Sequence, residues 1–216
     1  AVDVVPFVPL GAVPMAVAVA AARAFGARLG ERHAVPVYFY GAAAMEAGRT
    51  ELPAIRRGGY RGLPARLADP CERPDAGPAT FHESCGATAV GARGVLVAFN
   101  VNLRSDDLDA VREIARAVRE SSGGMKSVRA MGVRLAHRGV VQVSMNLTDW
   151  RTASMRDAFL RVHDLAAGRG IEILESELVG LAPRGAFGGA TAEELLLAGF
   201  SEAKLIETHL PAGAAC

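Results

Sequence analysis

Lysine is nearly absent from this 216-residue chain: of 24 basic residues only Lys126 and Lys204 are lysines, and the rest are arginines. Set against 23 acidic residues they leave a net charge of +1, too small a field to draw the chain to nucleic acid or to an anionic membrane. Cysteine is scarce as well. Cys71, Cys85 and Cys216 cannot close a paired framework, and the odd thiol suits a reduced, cytoplasmic compartment. Long apolar runs are missing: Arg23 and Arg28 interrupt the Ala/Val stretch at 16–29, which leaves nothing able to span a membrane as a helix. That stretch also lacks the basic start and cleavage pattern of a signal peptide. The glycine spacings of Walker and dinucleotide-binding loops are not found either. What is present is ordinary for a globular protein, 50% hydrophobic and 22% charged, with length for one large domain or two small ones.

The second half parses into alternating elements. A strand is expected over 94–103, then a helix over 106–121 in which Leu108, Val111, Ile114, Ala115 and Val118 share a face, with Ser105 or Asp106 as its N-cap. Strands at 127–136 and 140–147 are joined by the short His-Arg-Gly turn of a hairpin. A helix near 153–168 and a strand at 171–179 follow. Short helices are expected to close the chain, one entered at Pro183 and one containing Ala-Glu-Glu-Leu-Leu-Leu-Ala-Gly-Phe. The order βαββαβ is that of the ferredoxin-like split unit, which gives the fold class as α/β (α+β). In the first half, a strand at 2–9, a helix at 14–32 and a strand at 35–40 precede a looser helical region and a Pro-rich run at 69–78. A domain boundary is placed between 88 and 94.

The most informative stretch is 75–103, where a loop with four glycines leads into an apolar strand carrying Asn100 and Asn102. Asparagine packs poorly in strands and competes with the ladder, so two on one face need solvent, neighbouring side chains or a ligand as partner. Gln142, Ser144 and Asn146 repeat the pattern on a second strand, alternating with Val141, Val143, Met145 and Leu147. In the split unit these two strands lie side by side, so both polar stripes belong to the sheet face that the helices leave uncovered. A loop of small residues beside such a face lets backbone approach a flat ligand; its plainer reading is an interdomain linker.

Other candidates carry weaker chemistry. His82, Cys85 and Cys71 give three metal donors without a paired C-x-x-C, so no metal is expected. Cys85 as a nucleophile with His82 as base needs two loop residues to face each other; the plainer reading of Cys85 is a small buried side chain. His33, His137 and His163 read as solvated, as do Arg56, Arg57, Arg61 and Arg66 on a helix face. Glu175 and Glu177, alternating on the last strand, could serve as bases or hold a cation but on an edge strand are expected to meet water. Recognition of RNA on the open face fails for want of stacking aromatics on its central strands.

Seven blocks, among them AVDVVPFVPL, LPAIRRGGYRGL, PDAGPATFHESCGATAVGAR, VAFNVNL and VQVSMNLTDW, occur in order along nearly the whole chain. Through them the chain resembles the glutamate formiminotransferases. The resemblance implies two α/β subdomains, each a sheet with helices on one side, and an active-site groove between them. It divides the chain into a formiminotransferase N-terminal subdomain at 1–93, truncated at its start, a C-terminal subdomain at 94–208 and a tail at 209–216. It further implies a homodimer and transfer of a formimino group from N-formimino-L-glutamate to tetrahydrofolate in histidine degradation, with tetrahydrofolate as co-substrate. The small molecules formiminoglutamate and folate are thus the expected partners, with no nucleic acid and no membrane. The folate-binding loop corresponds to Gly77, Pro78, Ala79, Thr80, Phe81, His82, Glu83, Ser84, Cys85 and Gly86. Asn100, Asn102, Gln142 and Asn146 would line the groove. The family's catalytic histidine precedes the AVDVVPF block, so it is expected upstream of Ala1, with Ala1 an internal point of a longer product. His82 does not match that position, and Glu83 stands where the family commonly has proline. The alternative is a folate-binding or partner-binding paralogue that is catalytically inactive.

Overall fold

Alternating apolar residues at Val4–Phe7 (β1), Val37–Gly41 (β2) and Thr88–Ala92 (β3) build a three-stranded parallel sheet in the computed structural model, which describes residues 2–211. The sheet order is β1-β3-β2, with β3 central and all five of its residues buried. Parallel strands of one sheet need crossovers, and the helix Met15–His33 (α1) provides the one from β1 to β2, which lie on either side of β3. Ala18 and Ala22 of α1 pack with Val37, Phe39, Val90 and Ala92 on one face of the sheet. The short helix Leu52–Ile55 (α2) and the helix Gly59–Ala68 (α3) cover the other face, where Ile55, Leu63 and Leu67 meet Tyr38, Tyr40 and Ala89. Helices therefore flank both faces of this first sheet, where the resemblance implied one. The reason is that β2 and β3 are apolar on both sides.

Val97–Leu103 (β4), Val128–Leu135 (β5), Val140–Leu147 (β6) and Ile173–Val179 (β7) form a second, antiparallel sheet of order β5-β6-β4-β7. With the helices Leu108–Val118 (α4) and Met155–Ala167 (α5) between strands, the order is βαββαβ, as the sequence implies. β4 and β6 are paired at the centre, with Asn100 opposite Ser144 and Asn102 opposite Gln142. Val97, Phe99, Val101 and Leu103 are fully buried together with Val141, Val143 and Leu147 in one core with Ile114 of α4 and Met155 of α5. Each such side chain contributes about 1.5–3 kcal/mol by leaving water. Caps fix the helix starts: Asp107, rather than Ser105 or Asp106, accepts the free N–H groups of Asp109 and Ala110, and Ser154 with Asp157 makes a capping box for α5. The two sheets belong to two compact units, Ala1–Gly94 and Val95–Cys216.

Two expectations fail locally. The strand β3 lies where the sequence reads as the end of a Gly-rich loop, and its small residues are buried because parallel partners flank it on both edges. The stretch 192–200 is not a helix. Thr191 and Glu194 begin one with reciprocal hydrogen bonds of 2.8 and 3.1 Å. It stops because Leu196 takes φ +50 and the chain bonds instead to β7, Ser176 N to the Leu196 carbonyl and Ala198 N to the Ser176 carbonyl. The expected segment at Pro183 is present as a single 3-10 turn, Arg184–Phe187. Of the expected tail at 209–216, residues 212–216 lie outside the described residues, as does Cys216.

Candidate functional site

The loop 77–86 of the first unit rises from a firmly bonded root. Asp75 takes the place of a neighbouring strand on the free edge of β2: its N–H donates to the Val37 carbonyl at 2.8 Å, and its Oδ2 accepts from Phe39 N at 2.7 Å. Its other oxygen accepts from Arg49 at 2.9 Å, in an ion pair whose side chains are only 8% and 5% exposed. A second Arg49 nitrogen donates to the Arg73 carbonyl. The guanidiniums of Arg49 and Arg66 each lie 5.2 Å from the ring of Tyr38, whose hydroxyl donates to the Glu72 carbonyl. Burial pushes the Tyr38 phenol up, against the opposing pull of Arg66 and Arg49. Gly77 then turns at φ +79 with a would-be Cβ 2.3 Å from the Val35 carbonyl oxygen, and a Cβ on Gly30 of α1 would lie 2.5 Å from Gly77 N. Only glycine permits both approaches.

The tip is held differently. Ala79, Thr80, Glu83 and Ser84 are exposed, Pro78, Phe81, His82 and Cys85 half-buried, and Gly86 buried. His82 closes the tip on itself: its carbonyl accepts from Gly86 N at 2.7 Å and its Nδ1 from Cys85 N at 3.3 Å. In the neutral ring that bond leaves the proton on Nε2, a donor free to meet a ligand. The Cys85 thiol has Ser84 Oγ at 3.8 Å as its neighbour, and among the described residues no hydrogen bond joins it to the imidazole. Tyr60 of α3 packs its ring at a tilt against Phe81, centroids 5.2 Å apart, and donates its hydroxyl to the Glu83 carbonyl. Cys85 and Gly86 also help line a cavity of about 330 Å³, whose wall includes Tyr38, Ile55, Tyr60 and Leu63. Its two arginines are already paired, Arg66 with Glu72 at 2.8 Å and Arg56 with Asp3 at 2.6 Å. The cavity is at the small end of ligand-pocket sizes and suits an apolar or aromatic group.

In the second unit, Asn100, Asn102, Gln142, Ser144 and Asn146 share the sheet face opposite the core. Three of them are satisfied by neighbours. Gln142 donates to Asn102 Oδ1 at 2.8 Å, Asn102 donates to Glu175 at 2.9 Å, and Arg138 donates to the same Glu175 oxygen at 2.7 Å. Asn100 Oδ1 accepts from Met145 N at 3.3 Å. The Arg138 hydrogen bond holds the Glu175 carboxyl below the ordinary carboxylate range, burial opposing it and the Asn102 bond assisting. Asn102 and Gln142 are buried and Asn146 is exposed, so a ligand on this face would meet Asn146 first. Glu175 is thus a member of a network, where the sequence suggested a solvated edge residue.

The remaining candidates scatter. His33, His137 and His163 are exposed, and Cys71 sits exposed on a 3-10 turn. Among the described residues no three His, Cys, Asp or Glu side chains gather as metal ligands. No helix is long and apolar enough to cross a membrane. The sequence did not single out Arg49, Asp75, Tyr38 or Tyr60. A lone charged pair far apart in sequence carries no local signal, whereas the aromatic in Gly-Gly-Tyr, between two arginine-bearing turns, offered a faint one.

Known proteins match this arrangement of units. The family described as formiminotransferase domain, N-terminal subdomain, matches residues 1–93, and the formiminotransferase domain matches residues 98–194. A glutamate formimidoyltransferase of Thermoplasma acidophilum is 37% identical over 212 residues, which cover 97% of this chain and 70% of that protein. One from Streptococcus pyogenes is 35% identical over 97% of this chain and 71% of its own length. The formimidoyltransferase-cyclodeaminase of Sus scrofa is 43% identical over 85% of this chain, equal to 35% of that longer protein. Matched by both of its subdomains, and by relatives across nearly its full length, the chain belongs to the formiminotransferase domain family.

Proposed function

We propose that the chain takes part in transfer of a formimino group from N-formimino-L-glutamate to tetrahydrofolate, the step that serves histidine degradation. The observation that carries this reading is 35–37% identity with glutamate formimidoyltransferases across 97% of the chain. In the reaction the folate amine attacks the amidine-like carbon and forms a C–N bond. The tetrahedral intermediate then breaks its bond to the glutamate nitrogen, which leaves with the proton given up by the folate amine. That proton needs a carrier titrating near neutrality, and histidine suits the task. His82 is not assigned to it; its role in this reading is a donor from Nε2 to the bound folate.

The loop Gly77–Gly86 is the proposed folate site, its root fixed by Asp75 and its tip presenting small residues and backbone to a flat ring. On the second sheet, Asn100 and Asn146 are the proposed contacts to ligand or intermediate, with Asn102 and Gln142 holding the face in register. No metal enters the proposed chemistry. A homodimer is proposed from the family resemblance. A cytoplasmic setting is proposed from the free thiols Cys71 and Cys85.

One measurement tests the reading. The full-length protein should release glutamate from formiminoglutamate only when tetrahydrofolate is present. Tetrahydrofolate binding with no glutamate release would make the chain an inactive folate-binding paralogue.

A further inference from the structure

The loop 77–86 has a rigid root but a tip whose own hydrogen bonds, through the His82 carbonyl and ring, all stay inside the tip. Among the described residues, one side chain from outside the loop hydrogen-bonds to residues 78–86: Tyr60 of α3, whose hydroxyl donates to the Glu83 carbonyl. The same side chain touches the tip at two further points. Its ring is 5.2 Å from that of Phe81 at a 59° tilt, and its Cδ2 would stand 3.2 Å from a Cβ on Gly86. One residue thus lies against Phe81, Glu83 and Gly86.

Tyr60 is not there as part of the core. It is 54% exposed and its helix is anchored by Leu63 and Leu67, which are 7% and 5% exposed. An exposed aromatic contributes little by burial, so the contacts it makes with the tip are what distinguish its position. Tyr60 also lines the cavity that Cys85 and Gly86 enter from the loop side, so the tip it holds is the wall that a ligand in the cavity would touch.

We propose that Tyr60 is the positioning residue of this loop: its hydroxyl latches the tip to α3 in the conformation that receives the pterin ring of the folate. The proposal rests on the folate reading given above and concerns how the loop is readied for it. Losing one such hydrogen bond changes an opening equilibrium by about two- to tenfold. Phe in place of Tyr keeps the ring contacts and removes only the latch.

Cys85 serves as the reporter, and the exposed Cys71 as a control in the same molecule. Alkylation of each thiol by iodoacetamide is followed by mass spectrometry in the unsubstituted protein and in Tyr60→Phe, with and without tetrahydrofolate. Thermal unfolding of both proteins is measured in parallel. The expected result is a rise of about two- to tenfold in the Cys85 rate of Tyr60→Phe, with the Cys71 rate and the unfolding temperature unchanged. A matching rise in the tetrahydrofolate concentration that half-protects Cys85 is expected with it. Equal Cys85 rates in the two proteins overturn the latch, as does a rise shared by Cys71, which would mean a general loosening. Failure of tetrahydrofolate to protect Cys85 in the unsubstituted protein overturns the folate reading instead, and a rate difference in the absence of ligand still supports the latch.

Discussion

Asn102 on β4 donates a hydrogen bond to Glu175 on β7 at 2.9 Å while its own oxygen accepts from Gln142 on β6 at 2.8 Å, so one asparagine ties three strands together on the polar face of the second sheet. It is wholly buried there. The strand register itself shifts beside it, between Asn102 and Leu103 in the pairing with β7, which marks a bulge at this point.

Replacing Asn102 with alanine leaves the Gln142 amide without its acceptor and the Glu175 carboxylate short of a donor. Unfolding in urea should show a loss of about 1–3 kcal/mol, the cost of stranding buried polar groups. A variant as stable as the parent would mean that water fills the gap at no cost.

Glu175 makes the same face sensitive to acid. Its carboxyl titrates below the ordinary value of 4.5, chiefly through Arg138. A depressed folded-state value means that the stabilisation is present above the unfolded value and is lost as pH falls through the folded one. Glu175→Gln should therefore be less stable than the parent near neutrality, and the two unfolding temperatures should draw together as pH falls below the ordinary value of 4.5 and through the lower folded-state value. Parallel curves across the acid limb would show that the Arg138 contact contributes nothing to folding.

The pair Arg49–Asp75 is buried on both sides, and breaking it from one side should be severe. Arg49→Met strands the Asp75 carboxylate on the single N–H of Phe39. A loss of about 3–5 kcal/mol is expected in denaturant unfolding. Arg49→Met combined with Asp75→Asn should recover part of it, because no buried charge is then left unpaired; Glu46, which also pairs with Arg49 at 3.3 Å, is exposed to solvent. Additive losses in the double variant would show that the two residues act independently.

Gly30 sets two effects against each other. Alanine near the end of α1 gains up to about 1 kcal/mol in helix propensity. Its Cβ would however lie 2.5 Å from the backbone nitrogen of Gly77, and backbone cannot swing aside as a side-chain end can. Overpacking of this kind costs about 1–3 kcal/mol, so Gly30→Ala should lower the unfolding temperature rather than raise it. It should also displace the loop root, read as faster alkylation of Cys85.

The second unit was legible because its signals are local. Val, Phe and Leu alternate with Asn along β4, and Leu108 through Val118 repeat at helical spacing, although the cap of that helix, Asp107, lies one residue past the expected Ser105 or Asp106. The strand Thr88–Ala92 was not, since Thr-Ala-Val-Gly-Ala has little volume and becomes a strand through partners some 50 and 85 residues away in the chain. The same limit applies to the leucines at 195–197, where a capped helical start yields to pairing with Ser176. At the loop, the glycines and the polar stripe could be read, but not which polar groups already satisfy one another. That depends on Glu175 and Arg138 arriving from elsewhere in the chain.

The close approach of Gly30 to Gly77 gives the loop a gradient of compliance. At one end helix backbone lies against loop backbone with no side chain between them to absorb a shift, so residues 75–77 move only as α1 and β2 move. Eleven residues after Gly77 the chain is again committed to a strand, at Thr88. All the give in the segment is concentrated in the short span between these stiff ends, which can mould itself to a guest while the sheet beneath keeps its shape.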